Sequence, residues 1–121
     1  MNLEKLREYL TAKKGTTEEL PFGPTALVFK VMGKMYALVA WQEEPLRINL
    51  KCEPEHAMAL RAMFDAVIPG YHMNKDHWNT VILDGSLNPK TIFQMIDDSY
   101  SLVVKGLKKS DQKKLEQLDE S

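Results

Sequence analysis

The stretch from Leu27 to Lys51 constrains the fold more than any other part of the chain. Leu46 to Lys51 alternates strictly, with Leu46, Ile48 and Leu50 on one side and Arg47, Asn49 and Lys51 on the other. That is the period-2 signature of a half-buried strand. Just before it, Leu27 to Trp41 reads as a β-hairpin around Gly33-Lys34, with glycine at the first central position of a two-residue turn. A parallel crossover needs about a dozen residues or more, and neither connection is that long. The sheet must therefore be mainly antiparallel.

The Gly33-Lys34 turn sets a register. Val31 then faces Tyr36, Phe29 faces Leu38 and Leu27 faces Ala40, and these six form the core side of the hairpin. The other side carries Val28, Lys30, Met32, Met35, Ala37, Val39 and Trp41, and the polar set of the third strand joins it. This outer face is more apolar than solvation alone requires.

Helices flank the strands. Leu3, Leu6 and Leu10 line one face of an opening helix over 2–13, which stops at Gly15. The stretch from Thr16 to Pro24 reads as a loop stiffened by Pro21 and Pro24. A second helix is predicted over 54–67, with Pro54 in its first turn and a stripe of Ala57, Leu60, Phe64 and Val67, closed by Pro69-Gly70. Residues 71–83 hold a strand pair or at least one strand, Trp78 to Leu83, followed by an Asp84-Gly85 turn. Asn88 caps a third helix over 89–105 that opens with Pro89 and buries Ile92, Ile96, Tyr100 and Val103. A charged tail helix, within 110–121, frays at its end. At 121 residues this is one domain, large enough to bury roughly two-thirds of its extended-chain surface. The expected class is α+β: a two-layer sandwich, order α-β-β-β-α-β(β)-α-(α), with helices on one face of the sheet.

Several chemistries lack their signatures. The six glycines never fall into GxGxxG or GxxxxGK[ST], and neither HExxH nor GxSxG occurs. Cys52 and His56 lie four apart, with His72 and His77 further on, but neither pair has a recognised metal-ligand spacing, so no metal or other cofactor is expected. Cys52 reads more simply as a small hydrophobe at a strand end. His77 and the aspartates at 76, 84, 97 and 98 supply acid–base groups without a fixed geometry, so no catalytic residue is assigned and no enzyme is expected. One cysteine allows no internal disulfide, and MNLEKLREYL resembles neither a signal peptide nor a membrane span. A cytoplasmic protein with no membrane partner is the expectation.

Two surfaces remain as candidates. The run from Tyr71 to Thr80 packs His72, Asn74, Lys75, His77 and Trp78 together. These could grip an anion beside a stacking ring, bind a small molecule near His72 and His77, or simply build a turn over a buried tryptophan. The outer sheet face would place Lys30, Arg47 and Lys51 around Val28, Met35, Val39 and Trp41. The cations could meet phosphates while Trp41 stacks on a base. Alternatively, Val28, Met35, Val39 and Trp41 form a protein-partner or homodimer patch. Sixteen Lys+Arg against seventeen Asp+Glu give a net charge of −1, so any basic surface must come from local arrangement.

Asn74-Lys75-Asp76-His77-Trp78, followed by Thr80-Val81, Leu83-Asp84-Gly85-Ser86-Leu87, resembles the bacterial MmcQ/YjbR family. Ala40-Trp41, Arg47 to Lys51 and Asp98-Ser99-Tyr100 extend the resemblance over essentially residues 1–118. It implies a small YjbR-like α+β domain, similar to secretion-chaperone and frataxin-like (CyaY-like) folds. It also implies a DNA-binding label based on a double-wing arrangement, with no catalytic residues or cofactor. Asn74, Lys75, His77 and Trp78 take the signature positions, and Arg47 and Lys51 the polar strand positions. The expected function is a non-enzymatic binding module with DNA as its ligand. The alternatives are a protein-interaction or chaperone-like adaptor and, third, a small-molecule binder.

Overall fold

A computed structural model describes residues 1–21, 23–70 and 73–118. In chain order the elements are α1 (Leu3–Thr11), β1 (Thr16–Glu19), β2 (Leu27–Val31), β3 (Lys34–Ala40), β4 (Arg47–Lys51), α2 (Pro54–Met63), β5 (Val67–Pro69), β6 (Trp78–Ile82), α3 (Pro89–Lys105) and α4 (Lys109–Glu116). The strands form one antiparallel sheet in the order β1-β2-β3-β4-β6-β5. The fold is thus α+β, a six-stranded sheet with helices layered on one side.

The helix bounds follow their caps. Asn2 accepts from the Lys5 amide at the start of α1, and Asn88 accepts from the Lys90 amide ahead of Pro89 in α3. α2 is shorter than its apolar stripe suggests. Phe64 already has extended backbone, and Val67 belongs to β5, paired with Val81.

The hairpin corrects the expected register. Its turn is Met32-Gly33, both with positive φ (49° and 80°), as a type I′ connection requires. Val31 therefore faces Lys34 and Lys30 faces Met35, but Phe29 faces Ala37, which leaves Tyr36 as an extra residue in a β-bulge. Tyr36 and Ala37 both point into the core and both are fully buried. Beyond the bulge the alternation of β3 is inverted. Val39 and Ala37 are therefore core residues rather than outer-face ones, while Leu38 and Ala40 leave the core side. Trp41, continuing that phase, packs against the core cluster with its indole N–H buried and without a hydrogen-bond partner among the described residues.

A bulge breaks the ladder, and α3 repairs it. The Ser99 hydroxyl donates to the Tyr36 carbonyl at 2.6 Å and accepts from the Lys51 amide at 2.9 Å. Fully buried Ser99 thus serves the two backbone groups that the extra residue would have orphaned. Tyr36 is held at its other end, where its hydroxyl donates to the Leu10 carbonyl and contacts Thr16 Oγ1.

The helices sit on the side of Phe29, Val31, Val39, Ile48, Leu50 and Val81, which with Leu6, Leu10, Ile92, Ile96 and Val103 make the core. α1 is tied to α3 by Tyr9 stacked on Phe93 (centroids 4.0 Å apart), by Tyr9 Oη donating to Asp97, and by Lys13 at 2.5 Å from the same carboxylate. α4 seats Leu115 against Gly15, and Lys14 Nζ donates to the Glu116 carbonyl.

Candidate functional site

Directly paired residues share a face, so the register defines the side of the sheet on which no described helix packs. Three rows cross it. Toward one end lie Thr17, Lys30 and Met35 on β1–β3 and Lys51 opposite Trp78 on β4 and β6. The middle row is Val28, Leu38, Asn49, Thr80 and Ile68. Toward the other end lie Ala40, Arg47 and Ile82. Three of its five residues are buried despite the lack of a covering helix, Val28 at 1%, Asn49 at 6% and Thr80 at 1% exposed, while Leu38 and Ile68 are half-buried. Its two polar members are satisfied together, since the Thr80 hydroxyl donates to the Asn49 carboxamide oxygen. That pairing explains how an asparagine in a polar strand position can sit in the interior.

The long side chains are in the two flanking rows, and their charge is one-sided. Lys30, Arg47 and Lys51 are cationic, and the one carboxylate placed on this face by the register is Glu19, 3.5 Å from Lys30 Nζ. Arg47 and Lys51 have no ion-pair partner among the described residues. A chain of net charge −1 thus carries a locally basic face. Trp78 is half-buried at its end of β6 beside Lys51 and is not part of the core cluster.

The expected sites are therefore redistributed. Lys30, Arg47, Lys51, Met35, Val28 and Trp78 do share the helix-free face. Val39 and Trp41 do not, so a partner patch of Val28, Met35, Val39 and Trp41 is overturned by the bulge. Trp41 instead borders a groove of about 350 Å³ on the helix side, with Leu3, Arg7, Glu18, Leu20 and Leu27.

The signature motif builds a connection. Asn74 Oδ1 accepts from the Asp76 amide, and the Asn74 carbonyl accepts from the His77 amide. The His77 carbonyl accepts from the Cys52 amide at 2.8 Å, which ties the loop to the end of β4. From α2, Arg61 donates to Asn79 Oδ1 at 2.6 Å and to the carbonyls of Lys75 and Trp78. Arg61, on the second helix but outside its apolar stripe, thus fixes the loop and the start of β6. The side chains of Lys75 and His77 are exposed. Tyr71 and His72 lie outside the described residues. At the second motif, Asp84 accepts from the Ser86 amide and hydroxyl, and these bonds hold its carboxyl below the ordinary value.

Cys52, His56 and Asp98 border one open hollow of about 410 Å³ between the start of α2 and α3. Burial pushes the Cys52 thiol above its ordinary pKa, and the Asp98 charge adds to the shift. The thiol is thereby kept neutral, the opposite of what a thiolate nucleophile or ligand requires. Among the described residues no three His, Cys, Asp or Glu side chains are grouped to hold a metal ion. Nor is any helix among them long and apolar enough to cross a membrane.

Comparison with known proteins gives one consistent relationship. The model of the YjbR family matches residues 11–102. The uncharacterised protein YjbR of Escherichia coli K12 is 36% identical over 118 residues, covering 98% of this chain and 100% of its own length. YbdF of Escherichia coli O157:H7, also uncharacterised, is 39% identical over 95 residues, 78% of either chain. A crystal structure of the Deinococcus radiodurans protein DR2400, domain DUF419, superposes with a TM-score of 0.89 at 38% identity, over 99% of this chain and 91% of that one.

Proposed function

The chain belongs to the YjbR family, and from that premise we propose that it is a non-catalytic cytoplasmic module that binds nucleic acid on the helix-free face of its sheet. One observation carries the reading: Arg47 and Lys51 on β4 and Lys30 on β2 share one face of the sheet, on which the register places a single carboxylate among the described residues, Glu19, already beside Lys30. Arg47 and Lys51, unpaired among the described residues, keep their charge for phosphates, and neutralising phosphates releases counterions. Lys75 is exposed on the loop that leads into β6, next to the strand end where Trp78 pairs with Lys51. No base-reading geometry is implied, because phosphate contacts position a ligand without specifying sequence.

The test is an anisotropy titration with labelled oligonucleotides at two salt concentrations. Saturable binding that weakens with salt is expected, with Lys51→Ala lowering the salt slope by about one. Absence of binding at low salt would refute the proposal and turn the search to protein partners of the same face.

A further inference from the structure

We propose that the helix-free face takes single-stranded rather than duplex nucleic acid, with an unpaired base stacked on Trp78 and the adjoining phosphate held by Lys51. The inference rests on the nucleic-acid reading and narrows its ligand. Three features of the molecule lead to it.

First, among the described residues no helix or free ribbon projects from this side of the sheet to enter a groove. A duplex is read by a helix or a two-stranded ribbon lodged in its major groove. Here α1, α2 and α3 are occupied by the core side, α4 is anchored there by Leu115, and the β2–β3 hairpin is held within the sheet between β1 and β4 rather than free as a ribbon. What the face offers instead is a platform of strands.

Second, the platform pairs a ring with a cation. Trp78 and Lys51 are direct cross-strand partners on β6 and β4, at the spacing of about 5 Å that neighbouring strands impose. A base can stack only where its face is bare, as in a single strand, and an aromatic ring beside a lysine matches the base–phosphate repeat of such a strand. Arg47 lies four residues back along β4 on the same face, about 13 Å from Lys51 at the strand rise, in place for a second phosphate.

Third, the backbone that carries the ring is fixed. Arg61 and the Gly70 amide both bond the Trp78 carbonyl, and a Cβ at Gly70 would come within 2.8 Å of Trp78 Cβ. Backbone fixed this way limits what the indole must lose in ordering when a base arrives.

The test uses the two tryptophans as built-in reporters. In Trp41→Phe the emission comes from Trp78 alone, and a single-stranded oligonucleotide is expected to quench it, while a duplex of the same sequence binds at least roughly ten-fold more weakly. Trp78→Leu, checked for an unchanged circular dichroism spectrum, should lose roughly ten-fold in single-strand affinity. Equal binding of duplex and single strand with Trp78 emission unchanged would overturn this inference and leave the nucleic-acid reading standing. No binding of either form at low salt would overturn both.

Discussion

The two faces of this sheet are made by the same strands from alternate residues, yet they meet different demands. On the helix side, Phe29, Val31, Tyr36, Ala37, Val39 and Ile48 are fully buried, and even the polar Ser99 and Asn79 are spoken for by hydrogen bonds. On the other side Val28, Asn49 and Thr80 are buried as well, but the rows flanking them present Lys30, Lys51, Arg47 and Trp78. The first face holds the chain together. The second carries Arg47 and Lys51 without an ion-pair partner among the described residues, so their charges are left for a ligand. The contrast makes opposite demands on substitutions: helix-side changes should cost stability, and changes on the other face should cost binding alone.

The largest expected effect is in the core. Phe29→Ala should destabilise the protein by about 3–5 kcal/mol in urea unfolding, the range for deleting a buried phenylalanine. Ser99→Ala comes next. It deletes one hydroxyl and leaves two backbone groups without their partner, the buried Tyr36 carbonyl and the part-buried Lys51 amide, for a loss of about 1–3 kcal/mol. A cost near zero would mean that the bulge does not depend on α3.

A pH effect follows from Tyr36. Burial is the main cause that pushes its phenol up to about 12 from the ordinary value of 10.0. The raised folded-state value favours the neutral phenol, so its contribution is fully present below pH 10. It declines as the unfolded chain ionises and is exhausted near pH 12. Thermal melts should therefore fall across that window, and Tyr36→Phe should flatten part of the decline. Tyr9, also raised to about 12 by burial and its bond to Asp97, titrates in the same direction, so some decline persists in the variant.

The smallest stability effect belongs to the helix-free face. Lys51→Ala should stay within about 0.5 kcal/mol of the parent while weakening oligonucleotide binding. A large loss of stability there would erase the distinction between the faces.

How much of this could be read from residues alone differed by element. β4 was legible because its alternation is uninterrupted, and α3 because Asn88, Pro89 and Gly106 mark both ends. The phase of β3 was not, because Tyr36 and Ala37 are both compatible with burial and nothing in a string of apolar residues marks a bulge. That single inserted residue moved Val39 and Trp41 from the supposed binding face to the core side. The two edge strands were also hidden. β1 is Thr-Thr-Glu-Glu, without apolar alternation, and β5 is three residues long and ends in a proline. In the signature motif the residues were conspicuous but their work was not. Asn74 and the carbonyls of Lys75, His77 and Trp78 hold the loop, whereas Arg61, which organises it, looked like any solvated helix arginine.

The two indole N–H groups allow the central claim to be tested in one spectrum. Trp78 lies on the helix-free face, and Trp41 is packed against the core with its N–H buried. In a nitrogen-15 correlation spectrum titrated with a single-stranded oligonucleotide, the Trp78 indole signal should move together with the backbone amides of Arg47 to Lys51, while the Trp41 indole signal stays in place. Movement of Trp41 with Trp78 unchanged would put the binding surface on the helix side and contradict the assignment.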